Sequence, residues 1–306
     1  MRAPGEKVWL ITGANSGIGY ALARYVLSQG DKVIATVRSL SKFPENLKKA
    51  GGRPLLLDLS VSDADIRKAG EDALEIHGRV DVLVNNAGWG VVAPVEELDL
   101  DEVRASFQTM VFGAVALIQS LLPHFRERRV GHILNVSSIG GFAGFAGWGA
   151  YGAAKGALDL FSESLSAEVA PFNIRVLIIM PGYFSTNFFQ YASSVDKHKD
   201  STVYTLPSQG FRTLEEIPRG HVAEGQIGDV EKLSARVFEV VHGTGLAKGL
   251  VDDQGKREWL RVPLGPDCGM RMLEKIQVLK ENAEAFETIW RSTDVEPERL
   301  KFFPRG

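Results

Sequence analysis

The chain has 306 residues, 44% of them hydrophobic and 24% charged, with a net charge of −3 and a pI near 6.1. That length suits one large α/β domain, and the near-neutral balance argues against nucleic acid or an anionic membrane as partner. A lone cysteine, Cys268, excludes an internal disulfide and a cysteine-rich metal site, so no metal is expected and a reduced, cytoplasmic setting is.

The opening M-R-A-P-G-E-K lacks the apolar core of a signal peptide, and no transmembrane segment is expected. Lys7–Ile11 (K-V-W-L-I) is a short apolar run of the kind found in strands buried on both faces. T-G-A-N-S-G-I-G follows at 12–19, and helical periodicity then runs from Tyr20 to Leu27. Strand, glycine-rich turn and helix bring backbone N–H groups and a helix N-terminus up to a phosphate. Gly13 supplies the tight turn, Gly17 the close backbone approach, and Gly19 the close packing of helix on sheet. Lys32–Val37 is the second strand. An NAD site ends such a strand with a carboxylate for the ribose hydroxyls; here Val37 and Arg38 stand there instead. A guanidinium suits a 2′-phosphate, which points to NADP(H).

Leu55–Leu57, ending at Asp58, and Val80–Val84, running into N-N-A-G at 85–88, are the third and fourth strands, with a helix over Asp63–Ile76 between them. Asp101–Phe125 reads as one long helix whose apolar stripe passes through Val103, Phe107, Val111, Ala114 and Leu117. The fifth strand, His132–Ser137, enters a glycine-rich stretch at 138–155, S-I-G-G-F-A-G-F-A-G-W-G-A-Y-G-A-A-K, and a helix then continues to about Val169. A loop so placed lies at the carboxyl edge of the sheet, where open α/β folds bind ligands. Tyr151 and Lys155 share a helix face one turn apart, and the ammonium is expected to lower the phenol's pKa. Ser138 brings a hydroxyl over that pair to hold a carbonyl or alcohol oxygen.

Asn173–Ile179 is the sixth strand, closed by Pro181 and Gly182. Periodicity then lapses, and the aromatic-rich segment 183–228 reads as a substrate lid. Asp229–Val241 is helical, Trp259–Val262 is the last strand, and Cys268–Arg291 is an amphipathic helix in a C-terminal extension at 264–306. Strands alternating with helices imply right-handed crossovers and one doubly wound parallel sheet, a three-layer αβα domain over 1–306.

T-G-A-N-S-G-I-G, N-N-A-G, Ser138, Y-x-x-x-K at 151–155 and P-G-Y-F-S-T at 181–186 together resemble the short-chain dehydrogenase/reductase family over residues 7–190. D-V-E-K-L at 229–233, L-G-P-D at 264–267 and R-S-T-D at 291–294 resemble members near the 17β-hydroxysteroid and retinol dehydrogenases. The resemblance implies a Rossmann fold, with Tyr151 as general acid or base and Lys155 lowering its pKa and bonding the nicotinamide ribose. Ser138 would steady the reacting oxygen, with Ser137 as the second candidate. For the cofactor it implies Gly13, Asn15, Ser16, Gly17, Ile18 and Gly19 at the turn, Arg38 nearby, and Asp58 at the adenine edge. Asn86, Ala87 and Gly88 fall on the adenosine side, and Pro181, Gly182 and Thr186 at the nicotinamide. One position departs from the pattern. The N-x-x-G step usual in the long helix reads M-V-F-G, so Met110 replaces an asparagine, and a thioether cannot donate a hydrogen bond.

Trp89, Phe142, Phe145, Trp148, Tyr183, Phe184 and Phe188 are the candidate pocket residues. So many aromatics suit a lipophilic or aromatic ketone or alcohol, steroid-, retinoid- or polyketide-like, of the sort met in secondary metabolism. The expected activity is an NADPH-dependent oxidoreductase interconverting a carbonyl and a secondary alcohol. Met110 keeps a redox-neutral epimerase, dehydratase or cyclase open as the alternative, and a non-enzymatic NADP(H)-binding regulator is the third reading. Pairing through the long helices would give a homodimer or homotetramer.

Overall fold

The structure is a computed structural model, described here over residues 5–186, 188, 227–250, 259–295 and 299. Its centre is a seven-stranded parallel sheet in the order β3-β2-β1-β4-β5-β6-β7. The strands are β1 Val8–Ile11, β2 Lys32–Val37, β3 Arg53–Leu56, β4 Val82–Asn85, β5 Gly131–Val136, β6 Ile174–Pro181 and β7 Arg261–Leu264. The helices are α1 Gly17–Ser28, α2 Glu45–Lys49, α3 Asp63–His77, α4 Leu100–Phe107, α5 Gly113–Arg128, α6 Ile139–Phe142, α7 Gly149–Val169, α8 Val230–His242, α9 Pro266–Ala285 and α10 Glu287–Arg291.

Side chains alternate across a strand, so β1 feeds two cores. Val8 and Leu10 pack with Ile66 of α3, Leu117 and Leu121 of α5, and Leu165 of α7. Trp9 and Ile11 pack on the opposite face with Leu22 and Val26 of α1 and Leu233 and Val237 of α8. This is the expected doubly wound, three-layer Rossmann fold. The chain leaves β1 toward β2 on one side and returns to β4 on the other, so a crevice opens at their carboxyl ends.

Three sequence expectations need correction. The last strand is Arg261–Leu264 rather than Trp259–Val262, because pairing with β6 begins at Arg261 while Trp259 is left 55% exposed. The single helix expected over Cys268–Arg291 is α9 and α10, divided at Phe286. The single helix expected over Asp101–Phe125 is α4 and α5 joined by a π-helical turn, Gln108–Phe112. The wider turn precedes Gly113, where a Cβ would meet the Leu59 carbonyl at 2.8 Å. By length and hydropathy the stretch Leu100–Arg128 could cross a membrane, but half of its apolar window is buried inside the protein.

Both ends of the expected lid are seen. Phe184 bridges to Gly228 in parallel register, and the Gly228 N–H donates to the Tyr183 carbonyl at 2.8 Å. Residues 187 and 189–226 of the expected lid, and the tail with Phe302 and Phe303, lie outside the described residues.

Asp81, just before β4, fastens the amino edge of the sheet. It accepts from Val8 N–H at 2.9 Å, Arg79 Nε at 2.7 Å and Arg128 at 2.6 Å, which ties β1 and the end of α5 to β4. Burial alone would raise its pKa; Arg128, the Val8 N–H and Arg79 outweigh burial and hold it below the usual 3.8. Asp81→Asn should therefore cost about 3 kcal/mol, the low end for a broken buried pair, since both guanidiniums reach solvent. The wild-type contribution is present above the unfolded carboxyl pKa, about 3.9, and is lost as pH falls through the lower folded value. Urea unfolding at neutral and acid pH checks this; a mutant as stable as the wild type at neutral pH would refute it.

Candidate active site

A cavity of about 1450 Å³ runs along the carboxyl edge of the sheet, from Arg38 and Asp58 at one end to Tyr151 and Phe188 at the other. Pockets for small ligands usually hold about 300–1,000 Å³, so there is room for a dinucleotide and a substrate.

In the nucleotide half, Gly13 and Gly17 turn the chain with φ of +65° and +57°. Only glycine holds such angles without strain. Ser16, the N-cap of α1, makes no side-chain cap, and the first turn carries no acidic residue. The first N–H groups of α1 therefore stay available beside Asn15, Ser16, Gly17 and Ile18, all in the cavity wall. An uncapped helix start is what a pyrophosphate requires. The Asn86–Gly88 loop is held against this turn. Thr12 Oγ1 accepts from the N–H groups of Asn86 at 2.9 Å and Ala87 at 3.0 Å, and Asn86 Nδ2 donates to the Thr12 carbonyl at 2.8 Å. At the far end Arg38, Ser39 and Lys42 line the wall, and Asp58 accepts from Ser60 N–H and Oγ at 2.9 and 2.7 Å. These residues fit a nicotinamide dinucleotide. Gly19 is the exception among the residues named from the sequence. It is buried outside the cavity wall, packed against Asn86 and Gly13.

In the catalytic half, close glycine packing does the positioning. A Cβ on Gly152 would meet the Gly140 carbonyl at 2.7 Å, and one on Gly141 would meet Lys155 Cβ at 2.9 Å. The stretch after β5 can thus lie directly on α7, which brings Ser138 to Tyr151. Ser138 caps α6, its Oγ accepting from Gly140 N–H at 3.1 Å, and its hydroxyl favours the ionised form of the Tyr151 phenol. Ser138, Tyr151 and Lys155 all face the cavity.

Burial outweighs the expected effect of Lys155 on Tyr151 in this geometry. Burial pushes the Tyr151 phenol up to about 12, and the group that pulls it back is Ser138. Lys155 Nζ stands 5.9 Å from the Tyr151 ring centre and donates to the Val136 carbonyl at 2.6 Å. Burial lowers Lys155 itself to about 8.

Trp148 and Phe188 stack at 6.4 Å and both meet Tyr151 edge-on, at 5.6 and 5.5 Å. Trp89, Phe145 and Tyr183 line the same cavity; Phe184 touches it but is mostly core, 7% exposed. Phe142 belongs elsewhere. It packs in the cluster of Ile139, Ile178 and Cys268, with Arg261 over its ring, because α6 turns it from the cavity. Pro181, Gly182 and Thr186 complete the wall.

Reading the sequence missed Asp267 and Arg271, which α9 adds to the wall. Asp267 accepts from Tyr183 N–H at 2.7 Å, and Arg271 lies 5.3 Å from the Phe145 ring centre. Their four-residue spacing after L-G-P was the available signal. Met110 is 1% exposed on the π turn and packs with Tyr151 and Ala154.

Residues 7–197 match the family model for short chain dehydrogenases. The chain belongs to the short-chain dehydrogenase family. It is 41% identical over 182 residues to a 3-ketodihydrosphingosine reductase from Bacteroides thetaiotaomicron, covering 60% of this chain and 65% of that protein. It is 40% identical over 192 residues to retinol dehydrogenase 8 of Homo sapiens, covering 61% of each. Each match therefore spans less than two thirds of the relative's length. A short-chain dehydrogenase from Streptomyces avermitilis has a similar structure, with a TM-score of 0.78 at 34% identity, covering 95% of this chain and 100% of that one. Two further structures of the family carry nicotinamide cofactors. A Brucella melitensis 3-ketoacyl-(acyl-carrier-protein) reductase holds NADH (TM-score 0.67, 25% identity, 84% and 95% covered), and a variant of actinorhodin polyketide ketoreductase holds NADPH (0.69, 26%, 86% and 97%).

Gly19→Ala tests the packing behind the phosphate cradle. The added carbon would overlap Asn86 Nδ2 and sit 2.7 Å from the Gly13 carbonyl, so the turn or the helix must shift. The expected cost is about 1–3 kcal/mol of stability, as for overpacked cores. Dinucleotide affinity should fall together with the melting temperature; unchanged values of both would show that the turn absorbs the methyl group.

Proposed function

We propose that the protein reduces a lipophilic or aromatic ketone to a secondary alcohol with NADPH, Tyr151 delivering the proton. The observation that carries this reading is that Ser138, Tyr151 and Lys155 share one wall of the cavity, with the Ser138 hydroxyl favouring the ionised phenol and Lys155 one helical turn on. When bound, the nicotinamide supplies the hydride. The N–H groups at the start of α1 hold the pyrophosphate. Ser138 holds the substrate oxygen at hydrogen-bond distance from Tyr151. With its pKa pushed up to about 12, Tyr151 stays protonated at neutral pH and gives its proton as negative charge builds on that oxygen. Lys155, cationic below about 8, stabilises the phenolate left behind. Trp148 and Phe188, stacked beside the phenol, keep water from the reacting carbon.

NADPH is preferred to NADH in this reading because Arg38 and Lys42 line the adenosine end and no carboxylate closes β2. The aromatic wall supports the substrate class. So do the names of the relatives, a reductase of a 3-keto compound and a retinol dehydrogenase.

Mixing the protein with NADPH and a panel of aromatic and long-chain ketones tests the reaction. Loss of NADPH absorbance with alcohol formation supports it; product without NADPH consumption would favour a redox-neutral reaction instead. Tyr151→Phe should abolish turnover and leave NADPH affinity within about threefold, because the lost hydroxyl serves the transition state and not cofactor binding. An active mutant would overturn the assignment. Changing Arg38 and Lys42 together to Leu should cut the preference for NADPH over NADH about tenfold or more, since charge-assisted phosphate bonds contribute about 1.5–3 kcal/mol each. An unaltered ratio would remove these cations from the cofactor assignment.

A further inference from the structure

Asp159 follows Lys155 by one turn of α7 and does not face the cavity, so neither substrate nor cofactor can use it. It is 3% exposed, yet neither carboxylate oxygen has a hydrogen-bond partner of good geometry, and the same holds for the buried Ser137 hydroxyl beside it. A carboxylate is costly to bury without a partner, so one so placed calls for a reason.

The surrounding charges supply it. Four groups act on Asp159. Ser137, Arg261 and Lys155 favour its ionised form, Glu163 opposes it, and burial opposes it most. Arg261 is already paired with Glu163. Among the described residues Lys155 has no such partner. Its Nζ donates to the Val136 carbonyl at 2.6 Å, and Asp159 is the one charge among them that favours its protonated form against burial. Near Lys155 also stands the buried Met110. A Cβ on Gly88 would lie 3.0 Å from the Met110 sulfur and 3.5 Å from Lys155 Nζ, so a thioether borders the ammonium where an amide would offer an acceptor. Thioether sulfur accepts hydrogen bonds only weakly.

We propose that Asp159 is a positioning residue for the Tyr151–Lys155 pair: its buried carboxylate is the countercharge that keeps Lys155 an ammonium. Buried lysines without a countercharge release their proton. A neutral Lys155 could not stabilise a phenolate at Tyr151, so a group remote from the reactants would decide whether the pair works at neutral pH. Ser137, Arg261 and Lys155 favour the ionised form of Asp159 against burial and Glu163.

The inference rests on the reading of Lys155 as the partner of Tyr151, but its test needs no turnover. Full-length protein carrying lysine labelled with carbon-13 at Cε is titrated by NMR, without and with NADPH, and the Lys155 signal is identified by its loss in Lys155→Arg. In the wild type without NADPH the midpoint should lie near 8. Asp159→Asn should lower it by about one pH unit or more, the usual effect of removing a close opposite charge, and Asp159→Glu should restore part of the shift. Should Asp159→Asn fail to fold, Ser137→Ala provides the second reading. Without the hydroxyl, Asp159 holds its proton more tightly, so the Lys155 midpoint should fall by a smaller amount. A Lys155 midpoint unmoved in Asp159→Asn, or in Ser137→Ala where only that variant folds, overturns the proposal and leaves Asp159 a packing group. A protein that shows the shift but reduces no ketone would keep the countercharge and lose the proposed reaction.

Discussion

A lysine ammonium 4% exposed to solvent, bonded to the Val136 carbonyl at 2.6 Å, joins the last residue of β5 to the helix that carries the phenol. Much of the site follows from that contact. It sets the distance between α7 and the sheet edge, and only a glycine-rich stretch is thin enough to pass between them. Gly140 and Gly141 lie directly against Gly152 and Lys155, so Ser138 is carried to Tyr151 by backbone packing and not by a chance side-chain conformation. Burial then raises the energy of both charged forms, phenolate and ammonium. The site therefore holds its two proton-bearing groups in tension with their surroundings, as acid–base sites do when pKa values are tuned by desolvation.

The two ends of the cavity are chemically opposed. Backbone N–H groups and cations gather at one end, where β1 and β2 finish, and stacked rings gather at the other, around α7. The sheet order accounts for this division. Because the chain winds outward from β1 in both directions, the loops after β1 and β2 lie on one side of the crevice, and those after β4, β5 and β6 lie on the other. A ligand that is charged at one end and flat at the other can lie in only one direction.

Much of this was legible in the sequence. Buried parallel strands are short apolar runs, and each was recognisable to within two residues, at the sheet's edge too, where Trp259 continues the apolar run but remains in solvent. Ser138, Tyr151 and Lys155 were legible because motif and order coincide. What escaped depends on three-dimensional neighbours. Phe142 is one of several aromatics in its stretch but points into a different cluster. The electrostatics escaped for a related reason. Two residues four apart on a helix share a face, yet the Lys155 side chain bends to a carbonyl of the neighbouring strand, and burial governs both groups. The π turn at Gln108–Phe112 also left no periodic signal, since one extra residue per turn hardly disturbs an apolar stripe.

The segment after β7 is part of the cavity wall, not an appendage. Asp267 is 2% exposed at the start of α9 and accepts from the Tyr183 N–H at 2.7 Å. Any side chain at Gly182 would overlap its carboxylate, so loop and helix must be built together. The Gly182 N–H in turn donates to the Leu264 carbonyl at 2.8 Å, at the end of β7. Through these bonds the outermost strand and the helix after it set the backbone that begins the 183–228 segment, the same backbone that closes the cavity beside Thr186. Arg271, one turn further along α9, then lies against Phe145 in the opposite wall. A single helix from beyond the matched 7–197 stretch thus touches both the loop near the nicotinamide end and the aromatic wall. Such a helix can alter substrate fit without altering the residues that move the proton.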